Sequence, residues 1–356
     1  MRKFPIMTRR VCLKDIAAEA GVSVVTVSLA LNGNHNKKNQ ARVSEAKRQE
    51  IREIADRLGY RASIAGRILK SKNITDIGLL FLEESEQARD HLEFSDINIQ
   101  VNRICRERGI RCQLEWFDPI HFTDEIPGIM TDGLIGGLLV AGNPAGASRE
   151  FLENRFHLPC VRIGEPAENS VILDFSGALD EALKQLSDGG CKRLALINGP
   201  TEVRRFREFE AAFIEKSRTY GWNDAAERIF TIPLFGDYSK SSADAVNAIF
   251  NRPDPADAVL VASGQSKSIM LLIERMGLRI PQDVSLIHFI ATDRESEKFV
   301  PRISAIESQA ALLAENAIDI LQELMKKGTA AHSFRQIPAI YKNRDSVRKG
   351  GSKNQL

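Results

Sequence analysis

The 356-residue chain has little of what a secreted, metal-stapled or membrane-spanning protein needs. Its five cysteines, at positions 12, 105, 112, 160 and 191, are odd in number and contain no C-x-x-C pair. Neither a disulfide framework nor a zinc site is therefore indicated, and a reducing cytoplasm fits. Apolar runs such as Gly133 to Ala141 fall far short of the roughly 20 residues that cross a bilayer, so no membrane partner is expected. Arg2, Lys3, Arg9 and Arg10 surround only Phe4, Pro5, Ile6 and Met7, too short an apolar core for a secretory signal, and export is not expected. The six histidines show no H-E-x-x-H spacing, neither Ser263-Gly264 nor Ser187-Asp188-Gly189-Gly190 is a G-x-S-x-G elbow, and no glycine-rich loop ends in Lys-Ser or Lys-Thr. These absences remove the usual seats of catalysis and predict no metal, no cofactor and no enzyme.

What is present is an ordinary globular composition, 43% hydrophobic and 27% charged, in a chain long enough for two or three folded units. The formal net charge of +2 hides a strong asymmetry. Residues 1 to 73 carry 16 Lys and Arg against 6 Asp and Glu, a net +10, and the remainder carries 33 against 41, a net −8. A small cationic module ahead of a larger acidic one is the footprint of nucleic-acid binding, because phosphate contacts release counterions. Charge alone equally fits a solvated basic face.

Local pattern separates the two. Leu13, Ile16, Ala17 and Ala20 share one helical face, and Gly21 permits the turn that follows. Ser23 is a good N-cap for a second helix from Val24 to Leu31, with Val27 and Leu31 facing inward beside Val22. That helix is rich in β-branched residues and depends on docking. Ser44 caps a third helix with a stripe of Ile51, Ile54, Ala55 and Leu58, ended by Gly59. The result is a three-helix, helix-turn-helix module.

Leu13-Lys14-Asp15-Ile16-Ala17, Gly21-Val22-Ser23, Thr26-Val27-Ser28, Leu31-Asn32-Gly33 and Leu58-Gly59-Tyr60 closely resemble the DNA-binding headpiece of the LacI/GalR (lactose-repressor-like) family. The resemblance continues through Arg67-Ile68-Leu69-Lys70 and Ile77-Gly78-Leu79-Leu80 and, more weakly, over most of the chain. It implies a DNA-binding domain over 1–60, a hinge helix and linker over 61–74, a two-lobe effector-binding and dimerisation domain over 75–347, and a disordered tail over 348–356. It also implies a homodimeric transcriptional regulator on double-stranded operator DNA, controlled by a small-molecule effector.

The second helix of such a module enters the major groove. Val24, Val25 and Leu29 are the candidates for base edges, and Ser23, Thr26, Ser28 and Asn32 for phosphates. The family commonly has Arg at the position of Leu29, so guanine readout by a bidentate guanidinium is lost and contact with thymine methyls remains. The polar, basic stretch Gly33 to Val43 reads as an extended backbone-contacting loop or as a solvated insertion. By the same resemblance Leu69, flanked by Arg67 and Lys70, is the minor-groove wedge of the hinge, or else packs on the core.

From Thr75 onward short apolar runs alternate with helical stretches, which predicts doubly wound parallel sheets covered on both faces, in two periplasmic-binding-protein-like lobes. Ligands of such sheets sit at the carboxyl ends of the strands. Phe94, Asp174, Arg205 and Ser263 are the effector-binding candidates by resemblance, although Asp174 and Arg205 equally suit ion pairs or surface charge. Several polar positions of the family are lost: Ala262-Ser263-Gly264 and His288-Phe289-Ile290-Ala291 stand where acidic residues are usual, and Phe175 stands for Asn. Either the effector is not an ordinary free sugar, or the cleft no longer answers to one.

Overall fold

Residues 11–32, 43–60, 74–82, 92–233, 236–262, 266–291, 296–327 and 332–350 are described in this computed structural model. They belong to two units, residues 1–73 and 74–356.

In the first unit, α1 (Leu13–Ala20) starts where the Cys12 N–H donates to the Asp15 carboxylate at 2.7 Å. It stops at Gly21, whose φ of 62° is a left-handed turn that glycine adopts without a steric penalty. Ser23 Oγ accepts the Thr26 N–H at 3.1 Å and opens α2 (Val24–Asn32). Ser44 Oγ accepts the Lys47 N–H at 3.4 Å and opens α3 (Glu45–Arg57). Ile16, Ala17, Ala20, Val27, Ala30, Val43, Ile51, Ile54 and Ala55 form one buried cluster, with Leu31 only partly buried at its edge. Lys47 Nζ donates to the Ala20 carbonyl at 3.0 Å, and Arg57 pairs with Glu19 at 2.5 Å. These ties between α1 and α3 hold the frame against which the weakly helical α2 docks.

The second unit has two six-stranded sheets, one per lobe. The first contains β1 (Ile77–Leu82), β2 (Cys112–Phe117), β3 (Gly137–Ala141), β4 (Cys160–Ile163), β5 (Asn169–Asp174) and β11 (Ser333–Pro338), ordered β11-β5-β4-β3-β1-β2 and parallel throughout. The second contains β6 (Leu194–Asn198), β7 (Ile229–Thr231), β8 (Ala258–Val261), β9 (Ser285–Ala291), β10 (Ser304–Glu307) and β12 (Ile340–Lys342), ordered β12-β10-β9-β8-β6-β7. Only β12 runs antiparallel, a departure from the all-parallel expectation. The main covering helices are α4 (Leu92–Glu107), α5 (Gly146–Asn154), α6 (Ser176–Asp188), α7 (Arg204–Thr219), α8 (Tyr238–Phe250), α9 (Ser266–Arg275) and α10 (Ala310–Lys327). Both faces of each sheet are buried: Ile77, Leu79 and Phe81 of β1 enter one core cluster, and Leu80 and Leu82 enter another.

The chain passes between the lobes three times, from β5 to α6, from β10 to α10 and from β11 to β12. The crossings are bonded to one another. Ala339 N–H donates to the Asp174 carbonyl at 2.7 Å, and the Gln309 side-chain amide donates to the Pro338 carbonyl. The core face of α10 is made by Leu313, Ala314, Ala317, Ile318, Ile320, Leu321 and Leu324, and Leu312 is exposed. One sequence expectation needs correction. Arg348, assigned to a disordered tail, is docked: its N–H donates to Ser285 Oγ at 3.2 Å and its guanidinium to the Asp257 carbonyl at 3.0 Å.

Candidate functional site

The second helix of the first unit presents apolar side chains to water. Val25 is 67% exposed and Val24 39%, whereas Val27 and Ala30 on the opposite face are buried. Leu29 is half-buried against the core, so the exposed apolar surface is concentrated at the N-terminal turn of α2. Around it the cap is polar: Ser23 Oγ and Thr26 Oγ1 lie 2.8 Å apart in a hydrogen bond. Ser28 is half-buried. The side chain of Asn32, the loop 33–42, and Arg67, Leu69 and Lys70 lie outside the described residues.

In the second unit, the cleft candidates divide. Asp174 ends β5, and its Oδ1 accepts the Ser176 N–H at 3.0 Å, so this carboxylate caps the crossing into α6. Arg205, near the start of α7, lies with its guanidinium carbon 4.7 Å from the centroid of the Phe206 ring, in cation–π range. Ser263 and the side chain of Phe94 lie outside the described residues.

Arg204 bonds one lobe to the other, and sequence reasoning passed over it for its neighbour. Its Nε donates to Glu165 at 2.8 Å and its other nitrogens to Glu208 at 2.5 Å and the Gly164 carbonyl at 2.6 Å. Gly164 and Glu165 follow β4 of the first lobe, and Asn143 donates to the same Glu165 at 3.4 Å. Burial opposes the Arg204 charge, but the hydrogen bonds it donates to Glu165 and Glu208 outweigh that and raise its pKa. The signal in the sequence was the Arg204/Glu208 spacing of one helical turn; the distant Glu165 gave none.

Aromatic rings close the neighbouring end of the second lobe. Phe209 of α7 stacks on Phe289 of β9 with centroids 3.8 Å apart, and Phe175 meets both edge-on at 5.3 and 5.4 Å. Phe206 packs over Gly199, where a Cβ would lie 2.2 Å from the ring. His288 is buried in β9 beside Val261 and Ala305, and its Nε2 has no hydrogen-bond partner. Burial alone lowers its pKa to about 4, so the ring is neutral. At the end of β10, the buried Glu307 is taken up by Arg344 at 2.5 Å and Lys342 at 3.2 Å. Among the described residues no group of three His, Cys, Asp or Glu is placed to hold a metal, and no helix is long and apolar enough to cross a membrane.

Comparisons with known proteins agree with this architecture. Residues 12–63 match the model of bacterial regulatory proteins, lacI family, and residues 183–347 match a periplasmic binding protein-like domain. Catabolite control protein A of Priestia megaterium is 24% identical, covering 95% of this chain and 99% of its own length. The HTH-type transcriptional repressor PurR of Vibrio vulnificus (strain CMCP6) is 26% identical over 95% and 98%, and the ribose operon repressor of Escherichia coli (strain K12) is 26% identical over 94% and 99%. Among solved structures, a lac repressor dimer bound to operator and the anti-inducer ONPF superposes with a TM-score of 0.72 at 19% identity, covering 95% of this chain and 99% of that one. A transcriptional regulator CelR–cellobiose complex gives 0.67 at 20% identity, over 95% and 100%. The helix-turn-helix unit matches the lacI family of bacterial regulatory proteins and the second unit a periplasmic binding protein-like domain, and the chain is similar along nearly its whole length to regulators that combine the two.

Proposed function

We propose that this chain is a sequence-specific DNA-binding transcriptional repressor that acts as a homodimer on a palindromic operator, with a small-molecule effector in the interlobe cleft setting its affinity. The observation that carries the reading is the exposed Val24–Val25 edge at the polar N-terminus of α2, on a unit with a net charge of +10 over residues 1 to 73. Solvation alone would favour polar residues there; an apolar edge suits thymine methyls in the major groove. Ser23, Thr26, Ser28 and Asn32 take phosphates, which fix register without reading sequence. Arg67, Leu69 and Lys70 form the minor-groove hinge. The relatives are named as repressors and control proteins, and a twofold protein requires a twofold site.

For the effector, the half-buried Phe175, backed by the buried Phe209 and Phe289, supports a ligand with a planar or apolar face in place of a free sugar gripped by carboxylates. Asp174 and Arg205 supply the polar contacts at its rim. Ligand binding acts on DNA only through a difference in affinity between two lobe arrangements. The Arg204–Glu165 bridge is an interaction that such a difference would make or break. The test is fluorescence anisotropy of the full chain with duplexes from the region upstream of its own gene. Saturable binding that weakens steeply with salt is expected; no binding, or salt-insensitive binding, contradicts the reading.

A further inference from the structure

Arg162 is a cation set inside a strand. It belongs to β4, between Val161 and Ile163, and stands in register with Val140 of β3 and Ser170 of β5. A parallel sheet covered on both faces ordinarily holds aliphatic side chains at such a position. The side chain is half-buried, and one terminal nitrogen donates to the Gly142 carbonyl at 2.9 Å, its one hydrogen bond among the described residues. Its Nε is buried without a partner, and no described carboxylate lies within ion-pair distance. Glu165, three residues on, attracts the charge but is taken up by Arg204 at 2.8 Å, with Asn143 donating to it at 3.4 Å. Ala141 of β3 pairs with Ile163 of β4, so Gly142 and Gly164 are the next positions, just past the carboxyl ends of both strands. The Gly142 carbonyl accepts Arg162, and the Gly164 carbonyl accepts Arg204 of the second lobe at 2.6 Å. Arg162 therefore ends at the sheet edge that meets the other lobe, one strand from the interlobe bridge. Two residues along the same loop, the Pro144 carbonyl accepts Arg149 Nε of α5 at 2.8 Å; Arg149 is exposed and forms no ion pair among the described residues.

We propose that Arg162 anchors an oxyanion site, for a carboxylate or phosphate group, at the carboxyl edge of the first sheet, with Arg149 as a second cation at its rim. Taking that group to be part of the effector rests on the cleft reading above. A charge drawn out of water costs stability unless a counter-ion offsets it. Burial is the largest influence on Arg162 and lowers its pKa, yet a guanidinium stays charged in proteins, so the cost is not removed by losing a proton. The other buried arginines of the second unit are treated differently. Arg228 is held by Asp224 and Asp254, and Arg344 by Glu307. Arg162 alone of these three has a backbone carbonyl in place of carboxylates. Its planar fork presents paired N–H donors that suit two oxygens of one carboxylate or phosphate, and an arriving anion supplies the charge that the protein does not. The site lies one strand from Arg204, so its occupancy is placed to depend on the separation of the lobes.

The test is thermal unfolding of the full chain in sodium phosphate or sodium acetate against sodium chloride, at neutral pH and matched ionic strength. Arg162→Met and Arg218→Gln, the latter an exposed position at the end of α7, are measured alongside. The expected result is a saturable rise in the midpoint of the second unit, by about 2 °C above chloride at about five times the half-saturating anion concentration. A rise with phosphate alone identifies a phosphate ligand, and a rise with acetate as well identifies a carboxylate. In Arg162→Met the rise should be gone, and the midpoint in chloride should equal or exceed that of the parent, the reverse of what loss of a purely structural arginine does. Arg218→Gln should follow the parent. No saturable rise in the parent with either anion, or a rise kept in Arg162→Met, overturns the site; if that variant fails to fold, Arg162→Gln takes its place under the same criterion. The effector role is judged separately, by anisotropy with the upstream duplexes at the same ionic strength. Anion binding through Arg162 that leaves DNA affinity unchanged supports the site and contradicts its place in the effector reading.

Discussion

The N-terminal turn of α2 and the carboxyl edge of the second sheet both carry apolar side chains, with opposite physical consequences. Val24 and Val25 stand in water and contribute little to the fold. Phe209 and Phe289 are withdrawn from it completely, and Phe175 partly. An exposed apolar group has free energy to gain only from a partner, whereas a buried one has already gained it from its neighbours. The first region is therefore a surface that can change without disturbing the fold, and the second is structure.

Substitution separates the two regions most sharply at the rings. Phe209→Ala should destabilise the second unit by about 3–5 kcal/mol, through lost transfer energy and the cavity left behind, seen as a lower urea midpoint. The counterpart Val25→Ser should move stability by less than about 0.5 kcal/mol. Equal effects from the two would dissolve the distinction.

His288 gives the next largest effect. Its pKa falls from 6.5 in the unfolded chain to about 4 in the fold, through burial. The unfolded state then binds more protons between those values, so stability is complete above about pH 6.5 and declines as pH falls toward 4. The loss is on the order of 3 kcal/mol at the acid end. His288→Leu should flatten that part of a stability–pH profile; a profile that keeps its slope would assign the effect to other groups.

How far the sequence carried the reading follows from the same contrast. The helix-turn-helix was legible because Gly21, Ser23 and Ser44 mark its ends and the apolar spacings mark its inner face. Strands β1, β6, β8 and β9 were legible as apolar runs buried on both faces. β2, β4, β5 and β11 were not, because their half-buried, partly polar residues break the run, and β7, β10 and β12 are only three or four residues long. Phe175 was recognised as a departure from the family, but its partners Phe209 and Phe289 lie 34 and 114 positions away, and only the fold brings the three rings together. Arg204 and Glu165 escaped for the same reason, coming from different lobes.

That bridge offers a smaller test. Glu165→Gln keeps the shape and removes the charge from a pair that is mostly shielded from solvent. A stability loss of about 1–2 kcal/mol is expected, between the values for exposed and buried pairs. In a double-mutant cycle with Arg204→Ala the losses should not add; additive losses would show that the two side chains do not act together. Smaller again, Val25→Ser should weaken operator binding roughly tenfold, about 1.4 kcal/mol, and a tenfold loss shared equally by random DNA would point to a backbone contact.

The most direct measurement is selection of binding sites from a random duplex library by the full chain, repeated with Val25→Ser. Paired half-sites carrying thymines at the positions beneath α2, with the thymine preference lost in the variant, are the expected result. Guanines selected at those positions, or the same consensus from both proteins, would contradict the reading of DNA through the apolar edge of α2.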